Sequence, residues 1–287
     1  MTSLDLDLIS PTAIIVNQLK AEHHLGGQEP KIYSDPITVQ LAHIFAQQNV
    51  LKSYRSLSSD LINGAQSSVL LRSRYASDRF LELTRAGYDQ CILFGSGLDC
   101  FAYQARHEFQ GVQIFELDRW TLLELKEEIL SQCLYPKPHN LQFCPVDFKT
   151  DDLFQALLNH DYDPSKPSFM TLFGVTQYIE GPVFDRILQA ILYCFEGTQF
   201  IVSYIVPQDT LEAKEAKLLN EFKQIASAGG EPFVSSYHPQ ALAQKLLDLG
   251  FRSVQHITSE EVQKRYFQNR TDGLYANSVE QLILATV

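Results

Sequence analysis

The sequence predicts an α/β fold: a mostly parallel sheet with helices on both faces, its last strand antiparallel, behind an N-terminal helical cap. Three observations carry that prediction. Beyond residue 90, short apolar runs alternate with helix-length segments, the pattern of parallel strands joined by helical crossovers. The first run, Cys91-Ile92-Leu93-Phe94, leads straight into Gly95-Ser96-Gly97-Leu98-Asp99. A second, Val112–Leu117, follows about twenty residues on and brings carboxylates at Glu116 and Asp118. A Gly-x-Gly turn lets backbone approach a ligand closely, because glycine has no Cβ and tolerates positive φ. An acidic side chain at that distance accepts hydrogen bonds from ribose hydroxyls in nucleotide-binding α/β folds.

The elements follow in order. Pro11 after Ser10 opens a helix running to Leu25, with Ile14, Ile15 and Leu19 on an imperfect apolar stripe. Asp35-Pro36 opens a second helix carrying Val39, Ile44 and Phe45, and Ser67–Leu83 forms a third that Gly87 stops. Strands are expected at Cys91–Phe94, Val112–Leu117, Asn140–Pro145, Ser168–Phe173, Gln199–Ile205, Phe251–Ile257 and Gln281–Val287. Helices fill the intervals at Trp120–Leu130, Asp151–His160, Pro182–Phe195, Thr210–Ser227 and Pro239–Leu249. Only a loop region, Ser259–Asn277, separates the last two strands, so the final one should enter antiparallel. One domain over 1–287 is expected, with a cap over 1–88, a core over 89–287 and a lid or substrate segment near 207–240.

Composition bounds the chemistry. The net charge of −11 lacks the basic footprint that nucleic-acid binding requires. The five cysteines form no Cys-x-x-Cys pair and read as reduced, mostly buried thiols. The N-terminal stretch Met1-Thr2-Ser3-Leu4-Asp5-Leu6-Asp7 is acidic where a secretory signal is basic, and no apolar run is long enough to span a bilayer. A cytoplasmic protein without nucleic-acid or membrane partners is expected. Apart from His238, its histidines, His23, His24, His43, His107, His139, His160 and His256, show no metal-ligand spacing, so no metal is expected.

In a doubly wound sheet the ligand site lies outside the carboxyl ends of the strands. There the sequence places Gly95, Ser96, Gly97 and Asp99, then Glu116 and Asp118, then Asp147 and Phe148, then Phe173-Gly174-Val175-Thr176-Gln177-Tyr178. This set suits a nucleoside. Asp118 can hold ribose hydroxyls or cap the helix at Trp120; Asp147 can accept from an exocyclic amine, with Phe148 on the base or in the core. The Gly95–Cys100 run lacks the third glycine of a dinucleotide fingerprint, which argues against a nicotinamide enzyme.

These motifs resemble the leucine carboxyl methyltransferase family, a class I branch of S-adenosylmethionine-dependent methyltransferases that includes bacterial small-molecule O-methyltransferases. The resemblance rests on Leu93–Asp99, Phe115–Asp118, Val146-Asp147, Gly174–Ile179, Tyr33–Pro36, Arg72–Tyr75 and the tail Arg265–Leu274. It implies a Rossmann-like class I methyltransferase sheet and S-adenosyl-L-methionine as cofactor. It further implies that Arg72, with Arg74 as the alternative, pairs with the cofactor carboxylate. Gly95, Ser96, Gly97 and Asp99 would lie along the methionine portion, Asp118 at the ribose, and Asp147 with Phe148 around the adenine. The family commonly has Glu immediately before the glycine of its fourth-strand motif; here Phe173 stands there, an apolar wall beside the cofactor.

The expected activity is O-methylation of a small-molecule hydroxyl, phenol or carboxylate, in secondary metabolism. The alternatives are methylation of a protein C-terminal carboxylate and a non-catalytic cofactor-binding homologue. A carboxylate acceptor needs no base, whereas a hydroxyl gains from one. His238, before Pro239, is the candidate base or else a helix cap; Tyr178 is a second catalytic candidate, and Tyr75, Gln177 and Tyr178 are expected to touch substrate.

Overall fold

The computed structural model describes residues 5–104 and 109–287. His107 and the first four residues of the acidic N-terminal stretch lie outside the described residues. Four helices come first: α1 (Pro11–Gly26), α2 (Ile37–Phe45), α3 (Asn49–Tyr54) and α4 (Ser59–Arg85). The alternating part then runs β1 (Gln90–Phe94), β2 (Gln113–Asp118), α5 (Trp120–Gln132), β3 (Leu141–Pro145), α6 (Leu153–Leu158), β4 (Phe169–Leu172), α7 (Gly181–Leu192) and β5 (Gln199–Ile205). It ends with α8 (Ala213–Ala228), α9 (Pro239–Leu249), β6 (Ser253–Ile257), α10 (Ser259–Val262) and β7 (Glu280–Thr286).

The strands form one sheet in the order β3-β2-β1-β4-β5-β7-β6, with β7 antiparallel to both of its neighbours. Chain order reverses between β1 and β4, so a crevice opens there at the carboxyl edge. Strand alternation sorts the core into two layers. Cys91 and Leu93 face the layer that holds the N-terminal helices and α5, whereas Ile92 and Phe94 face the layer under α6, α7 and α9. β6 alternates between exposed and half-buried positions, as an edge strand does.

Local chemistry explains most boundaries. Ser10 caps α1 by accepting from the Ala13 amide at 3.4 Å, with Pro11 in the first turn. α4 starts eight residues earlier than expected, capped by Ser58, and continues through Asn63-Gly64 without turning. Gly64 serves contact instead: a Cβ there would meet Leu218 of α8 at 2.7 Å. α3 has six residues, too few to show a period. α6 begins at Leu153 because Asp152, not Asp147, caps it, accepting from the Gln155 amide at 2.9 Å. The expected loop between β6 and β7 holds α10 and a five-residue π turn at Gln263–Phe267. After α8 the chain runs without regular structure along the β4 loop, where the Val234 amide donates to the Gln177 carbonyl at 2.7 Å.

No helix among the described residues is long and apolar enough to cross a membrane. All five cysteines are free thiols. Glu116, expected at the edge of the sheet, is wholly buried one turn of pleat behind it and pairs with Lys126 of α5 at 2.7 Å. Burial works against this lysine's charge, but Glu116 overrides it and holds the Lys126 pKa above its usual value. Removing one partner of such a pair leaves an uncompensated charge. Lys126→Met is therefore expected to destabilise the protein by about 3–5 kcal/mol in urea unfolding, with much of that recovered in Lys126→Met/Glu116→Leu. A loss below about 1 kcal/mol for the single change would contradict this view of the pair.

Candidate active site

One cavity of about 630 Å³ lies at the carboxyl edge over the β1/β4 crevice, within the size range of small-molecule sites. Its floor is the loop after β1. Gly95 and Gly97 have φ of +66° and +49°, the left-handed region. The two glycines answer different needs. A Cβ on Gly95 would meet Val175 at 2.5 Å, whereas nothing lies within 4 Å of one on Gly97, whose backbone faces open space.

Asp118, at the end of β2, ties this turn down. Its Oδ2 accepts from the Gly97 amide at 2.9 Å and its Oδ1 from the Arg119 amide at 2.8 Å. Each oxygen keeps a lone pair for a ligand hydroxyl. Burial pushes the Asp118 pKa up, against the pull of those two amides. Asp118 does not cap α5, whose N-cap is Arg119 with no side-chain cap bond; it accepts from the Arg119 amide and lines the cavity. After β3, Phe148 lines the cavity with its ring 6.5 Å from that of Phe94, and Asp147 stands exposed at the rim, accepting from the Lys149 amide.

The opposite wall comes from α4 and the loop after β4. Arg72 lines the cavity, packs on Gly174 and pairs with Glu280 of β7 at 2.8 Å. Arg74, two residues along and about 200° around the helix, pairs with Asp78 and the Ile32 carbonyl outside the cavity. Of the two arginines, Arg72 is the one that lines the cavity. Phe173, Gln177 and Tyr178 also line the cavity, and burial pushes the Tyr178 pKa above its usual value. Ser96 and Asp99 complete the lining from the expected set.

Two expected residues are corrected. Tyr75 is buried on another face of α4, in a separate cleft with Arg79, Glu82 and Arg265, because one α-helix cannot turn Arg72, Ser73, Ala76 and Tyr75 to the same side. His238 is exposed and sits at the start of α9, where its carbonyl accepts from the Leu242 amide; it does not line the cavity. The helix-cap alternative describes its place.

Other cavity residues escaped the sequence reading. Ala13, Val16, Asn17 and Lys20 line it from one face of α1. Lys20 is nearly buried, pairs with Asp99 at 3.0 Å and lies 5.6 Å from the Tyr33 ring centre. Burial works to raise the Asp99 pKa, but Lys20, Lys126 and the Phe101 amide outweigh it and hold it below the usual value. The signal was present: Asn17 and Lys20 interrupt an apolar stripe at helical spacing. Glu231, from the segment after α8, closes the cavity beside the start of α1. No group of residues among those described has the makings of a metal site.

A Rossmann-like sheet with an antiparallel β7, and a cavity at its switch point, defines the class I methyltransferase fold. The chain belongs to the leucine carboxyl methyltransferase family, whose sequence profile matches residues 13–192. It is 25% identical over 191 residues to YktD of Bacillus subtilis (strain 168), provisionally named an S-adenosyl-L-methionine-dependent methyltransferase; the match covers 66% of this chain and 62% of that one. It is 30% identical over 162 residues to Rv0893c of Mycobacterium tuberculosis (strain H37Rv), with the same provisional name, covering 56% of this chain and 48% of the relative. The chain thus spans less than two thirds of the relatives it matches. In fold it is similar to a provisionally named methyltransferase of Thermobifida fusca YX, with a TM-score of 0.59 at 17% identity over 99% of this chain and 97% of that one. A DUF574 family protein of Streptomyces avermitilis MA-4680 superposes with a TM-score of 0.55 at 11% identity, over 99% of both chains.

The two glycines should respond differently to a methyl group. Gly97→Ala carries only the left-handed backbone cost of about 1–2 kcal/mol, whereas Gly95→Ala adds the clash with Val175. Urea unfolding is expected to rank Gly95→Ala as clearly less stable; equal losses would contradict the assigned packing.

Proposed function

We propose that the chain is an S-adenosylmethionine-dependent O-methyltransferase acting on a small molecule. One observation carries the reading: the order of chemistry along the carboxyl edge. Across β3, β2, β1 and β4 the cavity presents an aromatic ring at Phe148, a ribose-competent carboxylate at Asp118, an open glycine backbone and a cation at Arg72. That is the order of base, sugar, thioether chain and carboxylate in the cofactor, so the residues fit it.

Phe148 would stack on the adenine with Asp147 at its rim, and Asp118 would accept from the ribose hydroxyls. Ser96 and the Gly95 and Gly97 backbone would flank the methionine chain. Arg72 would pair with its carboxylate through the nitrogens not engaged by Glu280, a geometry that suits guanidinium. Asp99, already held by Lys20, would fix the floor beneath the methionine end. When bound, the cofactor supplies an electrophilic methyl group for in-line displacement. The protein's own contribution is alignment and the exclusion of water. Phe173 offers an apolar wall, and Tyr178 and Gln177 offer a hydroxyl and an amide at the acceptor side. The segment near 207–240 acts as an acceptor-side lid, a role supported by Glu231 reaching the cavity. The proposal includes a cytoplasmic location, supported by five free thiols, and no nucleic-acid partner, supported by the acidic charge.

Calorimetry with S-adenosylhomocysteine and with methylthioadenosine, which lacks the amino-acid portion, tests the assignment. Arg72→Ala is expected to weaken the first at least about ten-fold, near 1.4 kcal/mol, and to leave the second within about two-fold. Asp118→Ala is expected to weaken both. Undiminished affinity in the two variants would sink the site.

A further inference from the structure

The far end of the cavity from Phe148 is built by the start of α1, by Gln177 and Tyr178, and by Glu231. Two observations there bear on which acceptor it takes. The first concerns α1, a sixteen-residue helix whose N-terminus is a natural place for an anion. That place is taken. One oxygen of Glu231 accepts from the Ser10 hydroxyl and the other from the Thr12 amide at 3.1 Å. The chain has set its own carboxylate where a ligand carboxylate would otherwise dock.

The second concerns Gln177. The residue is only 6% exposed and its amide bonds the Tyr178 hydroxyl, but its Oε1 has no hydrogen-bond partner. A buried acceptor left unmatched is costly, and the group that satisfies it must be a donor. The cations of the lining are already engaged once the cofactor is in place: Lys20 is paired with Asp99, Arg72 is paired with Glu280 and gives its remaining nitrogens to the cofactor carboxylate, and Arg119 and Lys149 follow β2 and β3. The acceptor end therefore combines a resident negative charge, an unmatched acceptor and the Tyr178 hydroxyl.

We propose that Glu231 determines acceptor specificity: by filling the anion position at the start of α1, it makes this end of the cavity take a neutral hydroxyl and turn away carboxylates. The proposal rests on the methyltransferase reading for the word acceptor, but not for the recognition itself. A hydroxyl donates to Gln177 Oε1 or to a Glu231 oxygen, whereas a carboxylate has no proton to give either of them, and any bond it accepts from the Tyr178 hydroxyl is set against repulsion from Glu231. The inference narrows the acceptor to alcohols and phenols and sets aside a protein C-terminal carboxylate.

Phenol and benzoate, one ring with a neutral or an anionic head, are the probes, titrated by NMR into the full chain with and without S-adenosylhomocysteine. The wild type is expected to bind phenol at least about ten-fold more tightly than benzoate, the scale of one like-charge contact at short range. Glu231→Ala frees Ser10 and the α1 N-terminus and should reverse the preference through a gain in benzoate binding. Glu231→Gln keeps the side-chain length and should shrink the gap to within about three-fold. Circular dichroism checks that each variant is folded, and either variant suffices. Equal or tighter benzoate binding in the wild type overturns the proposal. So does an unchanged phenol-to-benzoate ratio in the variants, or failure of both probes to bind the wild type. Failure of S-adenosylhomocysteine to bind counts against the methyltransferase reading instead, because the probe ratio is read without it as well.

Discussion

Everything at the site depends on one carboxylate holding one turn. Asp118 ends β2 and accepts from the amide of Gly97, which follows β1, so the ends of these two neighbouring strands are fastened together beside the crevice. That bond fixes the open backbone of Gly97 toward the cavity while Val175 closes in on Gly95 from the β4 side. The turn has no freedom to be anything but a floor.

The charges around that floor explain the order of the rest. Behind it, Glu116 and Lys126 form a pair fully removed from water, fixing α5 against β2. Beside it, Lys20 and Asp99 join α1 to the β1 loop, so the helical cap is part of the cavity wall and not a separate layer. Opposite, Arg72 and Glu280 join α4 to β7. Three ion pairs thus couple the N-terminal helices, the first βα unit and the last strand around one space. Each is shielded enough for geometry to matter more than long-range attraction.

What the sequence revealed follows from which signals are local. Parallel strands announce themselves by apolar runs such as Cys91–Phe94, and Gln199–Ile205 and Pro239–Leu249 were legible to the residue. The part of the cavity lining at Gly95, Asp118 and Phe148 was legible for the same reason, because these residues sit at strand ends that chain order brings side by side. The part contributed by α1 and Glu231 was not. Lys20 belongs to no motif and reaches the cavity only through the packing of α1, and Glu231 belongs to an irregular stretch with no motif. His238 carried a persuasive local pattern, yet its place was decided by the packing of α9, which turns it to solvent. Tyr75 is a similar case: three residues on from Arg72 it stands about 60° away around α4, on the face that meets the separate cleft.

The family and the fold agree on a methyltransferase frame, and the cavity's polarity along the sheet edge turns that frame into an orientation. A crystal structure of the protein with S-adenosylhomocysteine tests it most directly. The account predicts adenine against Phe148, ribose hydroxyls on Asp118, and the amino-acid carboxylate within hydrogen-bonding distance of Arg72. It also predicts that the sulfur faces the space bounded by Phe173, Tyr178 and Glu231. A ligand lying in the reverse direction, or outside this cavity, would contradict it.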